Sequence, residues 1–193
     1  ASNGTFPEID LATGLQRARA AALLMLALPG AAYVYQGDEL GLEEVADLPA
    51  DVLADPIWRR TGGKVKGRDG CRVPLPWEPA GPSLGFGPTS PWLPQPPQWA
   101  KKAWSVQRRD PTSTLSLYCE ALRLRRHFPP VAAVTWVDAG PQVLAFRRGE
   151  GLLCVVNFST RPIALPPGRL ILRSDRADGG HLPPDTAAWL VPE

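Results

Sequence analysis

The stretch AAYVYQGDELGL, Ala31 to Leu42, changes character halfway along. Ala31, Ala32, Tyr33, Val34 and Tyr35 suit a strand apolar on both faces, as strands of a buried parallel sheet are. They run directly into Gln36, Gly37, Asp38 and Glu39, which suit a polar rim. Upstream, Leu11 to Leu28 reads as a helix, with Asp10 as N-cap and Leu11, Leu15, Ala18, Ala22 and Met25 on one face. Pro29-Gly30 stops that helix and turns the chain into the strand. A helix, a two-residue turn and a strand ending in carboxylates together form one unit of an α/β architecture.

Downstream of this unit the pattern dissolves. Leu40 to Asp110 reads as a long loop carrying Trp58, Trp77, Trp92, Trp99 and Trp104, with a dense run of prolines between Pro74 and Pro111. A loop of this length in a compact protein is functional or disordered, and the tryptophans argue against disorder. A second helix is expected over Pro111 to Phe128, capped by Asp110, with Leu117, Ala121, Leu124 and Phe128 inward and Pro129-Pro130 as its stop. Beyond it the period falls to two. Strands are expected at Val134–Val137, Val143–Arg147, Leu152–Phe158, Ile163–Leu165, Leu170–Leu172 and Ala187–Val191. Turns are expected at Gly149-Glu150-Gly151, Pro166-Pro167-Gly168 and Asp178-Gly179-Gly180. The organisation is therefore residues 1–130, helix-strand-loop-helix, and residues 131–193, a small antiparallel β domain. A lone parallel strand leaves its backbone groups unpaired, so the first region is expected to be part of a larger α/β domain. The start at Ala1 in place of methionine agrees with a fragment.

Composition removes several function classes. The 193 residues hold 21 basic and 19 acidic side chains, a net charge of +2 with no basic stripe or tail, so no nucleic-acid partner is expected. Three cysteines at wide spacing (Cys71, Cys119, Cys154) and two distant histidines (His127, His181) form no metal-ligand pattern. Neither metal nor other cofactor is expected, and free thiols suit a cytoplasmic protein. The opening Ala1-Ser2-Asn3-Gly4 is polar, unlike a signal peptide. The longest apolar run, Ala20 to Tyr35, is broken by Pro29-Gly30, and no membrane span is expected.

Leu28-Pro29-Gly30, Tyr35-Gln36-Gly37-Asp38-Glu39 and Arg68-Asp69-Gly70-Cys71-Arg72-Val73-Pro74-Leu75-Pro76-Trp77 occur in this order. Together with Asp55-Pro56-Ile57-Trp58 and Pro91-Trp92-Leu93-Pro94, they resemble the α-amylase superfamily of retaining α-glucoside hydrolases, in its α-glucosidase and oligo-α-glucosidase branch. The resemblance covers nearly the whole chain. It implies the C-terminal end of a (β/α)8 TIM barrel followed by a small antiparallel β-sandwich domain. Ala31–Tyr35 would be the eighth barrel strand, and its polar end would stand on the carboxyl face where barrels place function.

The resemblance also implies what is missing. A retaining glycosidase needs a carboxylate nucleophile and a carboxylic acid about 5 Å apart. In the family these follow the fourth and fifth strands, and a third acid follows the seventh, all upstream of the matched segment. No residue of this chain is therefore assigned a catalytic role, and the chain alone is expected to be inactive. Arg72 is expected to close the inner glucose pocket, where a planar guanidinium binds two acceptors at fixed geometry; alternatively it clasps its own loop through Asp69. Glu39 and Gln36 are further candidates for sugar contact, although Glu39 could equally cap the following turn. Arg68 and Asp69 are expected to build the loop, and most of the tryptophans to anchor it. The parent enzyme would hydrolyse α-glucosidic bonds in oligosaccharides or disaccharides. Relatives of the same architecture transfer or isomerise sugars, and others are non-catalytic transporter subunits.

Overall fold

The computed structural model describes residues 10–177 and 179–193. The polar opening at Ala1-Ser2-Asn3-Gly4, and Asp178 of the expected turn, lie outside the described residues. The chain divides into two compact units. One combines the described residues up to Tyr33 with Leu117–Glu193, and the other is Val34–Ser116.

The first unit opens with helix α1, Leu11–Ala27, whose N-cap Asp10 accepts the backbone N–H groups of Ala12 and Thr13, both at 3.1 Å. Its expected inner face needs correction. Leu11 and Ala18 are exposed, whereas Ala20, Ala22, Leu23, Leu26 and Ala27 are buried. The run Ala20-Ala21-Ala22-Leu23-Leu24-Met25-Leu26-Ala27 is apolar all round, so spacing alone could not fix which side turns inward. Helix α4, Thr114–Arg125, begins later than expected. Asp110 accepts the N–H of Thr112 in a turn before the helix, and the N-cap role passes to Ser113, whose Oγ accepts the N–H of Ser116 at 3.1 Å. Its inner residues Leu117 and Ala121 are buried as their spacing requires.

Among the described residues, five strands form one antiparallel sheet: β1 Thr135–Val137, β2 Val143–Arg148, β3 Leu152–Asn157, β5 Arg169–Arg173 and β7 Thr186–Val191, in the order β1-β2-β3-β7-β5. A second sheet pairs β4 Ile163–Ala164 with β6 His181–Leu182. Alternation along the strands sends their residues to two cores. Phe146, Leu152, Cys154, Val156, Ala187 and Trp189 pack against α1 and α4. Ala145, Leu153, Val155, Ala188 and Leu190 pack against Leu182 and Ile163 of the small sheet. Among the described strands, β6 is the one not expected from the sequence: its two residues lie directly after the glycine turn and before Pro183-Pro184, with no apolar run around them.

The expected strand Ala31–Tyr35 is a correction. These residues form no strand, and Tyr33 is 86% exposed. A single strand without a neighbour has nothing to pair with, so β-suited side chains alone cannot hold it in a ladder. At the start of this segment, the Arg125 guanidinium donates to the carbonyls of Leu26, Leu28 and Gly30, satisfying acceptors that the end of α1 leaves open.

The second unit is not a bare loop. It holds α2 Pro56–Arg60, α3 Trp104–Gln107 and several 3-10 turns around Val45, Leu48, Leu53, Val73, Leu93 and Trp99. Gln107 is 7% exposed and stitches the unit together. Its Nε2 donates to the carbonyls of Leu40 at 2.8 Å and Lys102 at 2.9 Å, while its Oε1 accepts the N–H of Leu115 at 3.1 Å.

Candidate functional site

Two carboxylates organise the loop that carries Arg72. Asp69 is 4% exposed, and its Oδ2 accepts the N–H groups of Ala54 at 2.7 Å and Asp55 at 2.8 Å. Asp55, also buried, caps α2 by accepting the N–H of Ile57 at 3.0 Å through Oδ1. Its Oδ2 receives the N–H of Arg68 at 3.1 Å and the Nη1 of Arg72 at 3.2 Å. The N–H groups of Ile57 and Arg68, with the Arg72 charge behind them, hold the Asp55 carboxyl below the usual carboxylate range. Arg72 Nη1 also lies 3.6 Å from Asp69 Oδ1, and the Arg72 side chain keeps 40% exposure. Arg72 is thus oriented by two buried acids while its side chain stays partly exposed.

Gly67 makes this convergence possible. At φ +79° it adopts a left-handed conformation, and a Cβ there would stand 2.6 Å from the Asp55 side chain. Gly70 answers a different need: its carbonyl accepts the N–H of Val45 at 3.1 Å, and a Cβ would fall 2.6 Å from the Val45 carbonyl oxygen.

The Tyr35–Glu39 stretch turns at Gly37, with φ +94°. Asp38 Oδ2 accepts the N–H of Tyr35, and Glu39 Oε2 accepts the N–H of Gly37, both at 3.0 Å. Both carboxylates therefore fold back on their own backbone. Gln36 remains exposed. It lines a hollow with Tyr35, Asp38, Glu43, Cys71 and Trp99, which brings the Tyr35–Glu39 and Arg68–Trp77 motifs to one place. Arg72 lines a separate hollow with Asp55, Arg60 and Arg68. Glu39 lines neither of these two.

Sequence reasoning passed over Asp55 as a hub, although an acid followed by proline is an N-cap signal that marks it. It also passed over Glu43, which is paired with the Lys102 ammonium; Lys102 in turn donates to the Gly41 carbonyl at 2.8 Å. Burial, the strongest single influence, pushes the Glu43 carboxyl up, but the hydrogen bond and charge of Lys102 together with further hydrogen bonds, including one from its own backbone, hold the group below its ordinary value. No local pattern links residues this far apart. Among the tryptophans, Trp99 is 2% exposed in the unit's core, Trp58 lies against Gly63, and Trp92 anchors through Nε1 to the Val52 carbonyl at 2.8 Å. Trp77 and Trp104 pair at 5.9 Å, and Arg108 covers Trp104 at 4.5 Å. All five are thus engaged within the loop unit.

Among the described residues no cluster of His, Cys, Asp and Glu could hold a metal ion, and no helix is long and apolar enough to cross a membrane.

Residues 5–133 match the family profile described as alpha amylase, catalytic domain, and residues 120–189 match a domain of unknown function, DUF3459. A probable alpha-glucosidase of Rhizobium meliloti (strain 1021) is 37% identical over 147 residues, covering 74% of this chain and 26% of that protein. The trehalose synthase/amylase TreS of Mycobacterium tuberculosis is 34% identical over 155 residues, covering 72% of this chain and 23% of that protein. The crystal structure of the alpha-glucosyl transfer enzyme XgtA superposes with a TM-score of 0.70 at 35% identity, covering 91% of this chain and 36% of that one. The chain spans about a quarter of the length of these curated relatives.

Proposed function

Since the chain belongs to the α-amylase family, we propose that it forms the C-terminal part of a retaining α-glucosidase acting on short oligosaccharides or disaccharides. In this reading residues 1–130 complete the catalytic barrel and residues 131–193 are the terminal β domain. The chain supplies substrate contacts and their scaffold, and the catalytic acids come from elsewhere in the parent. One observation carries the assignment: Asp38, Glu39, Asp55 and Asp69 all accept backbone N–H groups, which suits structural carboxylates. Arg72, held by Asp55 and Asp69 yet 40% exposed, is the leading sugar contact; Gln36 and Glu39 stand behind it. A soluble α-glucoside is the partner this requires.

A second reading, transfer or isomerisation of a glucosyl unit, has specific support in the 34–35% identity to a trehalose synthase/amylase and to an α-glucosyl transfer enzyme. Both readings share the covalent glucosyl-enzyme and differ in what accepts the sugar. The test is incubation of the parent, and separately of this chain, with a chromogenic α-glucoside and with a disaccharide. The parent should release chromophore and free glucose with retained α configuration, and the chain should release none. New disaccharide with little free glucose would favour the second reading. Turnover by the purified chain at the parent's rate would overturn the division of labour.

A further inference from the structure

The second hollow of the Val34–Ser116 unit has a charge pattern that neutral sugar recognition does not require. Its lining is Asp55, Pro56, Ile57, Arg60, Gly67, Arg68 and Arg72. Three guanidinium-bearing residues therefore face it with one carboxylate. That carboxylate is already spent: Asp55 accepts the N–H groups of Ile57 and Arg68 and the Nη1 of Arg72. Asp69, the other acid nearby, is buried; its Oδ2 accepts the N–H groups of Ala54 and Asp55, and its Oδ1 lies 3.6 Å from Arg72 Nη1. The lining thus sets three guanidinium groups against the single Asp55 carboxylate, and with Asp55 and Asp69 both directed at Arg72, an excess of positive charge remains at Arg60 and Arg68. The surrounding segment Arg59–Arg72 adds Arg59, Lys64 and Lys66 and places only Asp69 against them, which deepens the positive potential.

We propose that this hollow is an anion site for a phosphoryl group. Guanidinium forks match the oxygens of a phosphate monoester, donating several charge-assisted hydrogen bonds at fixed angles. Arg72 is held in position by Asp55, so part of the ordering cost falls before the ligand arrives. Pro56 and Ile57, the latter 39% exposed, give the hollow an apolar side suited to the carbon skeleton of an ester. The assignment is independent of whether Arg72 also reaches a neutral sugar in the parent, since it rests on Arg60 and Arg68 as well.

The full chain is titrated with inorganic phosphate, with glucose 6-phosphate and with glucose, at constant ionic strength set by chloride, and binding is followed by calorimetry and thermal shift. Saturable binding of one phosphate per chain is expected, with glucose 6-phosphate at least as tight and glucose silent. Phosphate binding with none of the ester would restrict the ligand to free phosphate and keep the site. Arg60→Gln should weaken binding about ten-fold, the loss of one charge-assisted contact, and Arg60→Gln/Arg68→Gln should abolish it. Lys64→Gln, on the same segment but outside the lining, should change it less than about two-fold if binding is local and not diffuse. Unchanged melting temperatures in the absence of phosphate confirm that these variants fold. Absence of saturable binding, or equal weakening by Lys64→Gln and Arg60→Gln, overturns the proposal.

Discussion

The two units of this chain are held together by different means. In the unit built on α1, α4 and the five-stranded sheet, order comes from repetition. Backbone ladders satisfy themselves, and apolar residues at every second position fill a core on each face of the sheet. In Val34–Ser116 the ladders are missing, and side chains do the satisfying: Asp55, Asp69, Gln107 and Lys102 each bond to backbone groups far away in sequence. The lesson is that a long connection can be ordered without regular structure, provided that buried polar side chains take over the role of the backbone. Such a segment can then present an arginine such as Arg72 at fixed geometry.

The largest expected effect belongs to the repetitive unit. Trp189 is fully buried, and its Nε1 donates to the Leu23 carbonyl at 3.0 Å, so Trp189→Ala should cost about 3–5 kcal/mol. Hydrogen exchange should accelerate most at β3 and β7. If the amides of Ala54 and Asp55 lose as much protection, the contrast between the units fails.

Next comes the polar hub. Asp69→Ala would leave the buried N–H groups of Ala54 and Asp55 without acceptors and remove a partner of Arg72, at a cost of about 2–4 kcal/mol. Accelerated exchange at those two amides, and early proteolysis within Leu40–Asp110, are the expected signs. A wild-type melt would show that the hub is dispensable.

Smaller still is the response to acid. The folded carboxyl of Asp55 lies below its ordinary value. Its contribution is therefore fully present above the unfolded pKa, near 4, and is lost as pH falls through the folded value. Melting temperature should drop as pH falls below the unfolded pKa and on through the folded value, and Asp55→Asn should flatten part of that drop. An unaltered profile in Asp55→Asn would assign the acid sensitivity to other carboxylates.

The same contrast explains what could be read from the sequence. The strands of the sheet were legible because period two survives any tertiary detail, and β2, β3 and β7 fall within a residue or so of their expected bounds. The face of α1 was not, since alanine and leucine surround it. The segment Ala31–Tyr35 has strand-forming side chains, but pairing is a property of neighbours and not of the segment. The family motifs were visible as strings. What they do locally was only half visible: Gly37 takes the expected sharp turn, and Asp69 builds the loop as its composition suggests. Asp55 as the point where α2, Arg68 and Arg72 meet could not be seen, because contacts between residues 13 to 17 positions apart leave no periodic trace.

In the proposed reading, the Arg68–Trp77 loop folds so as to present Arg72 to substrate. Arg72→Lys in the parent enzyme tests it most directly, since it keeps the charge and removes the planar fork. With one charge-assisted contact worth about 1.5–3 kcal/mol, kcat/KM for an α-glucoside should fall by about one to two powers of ten. The melting temperature should move little, and Arg68→Lys, measured beside it, should spare turnover. Near-native kcat/KM for Arg72→Lys with a clearly lowered melting temperature would contradict the account, and would make Arg72 only the clasp that closes Asp55 onto Asp69.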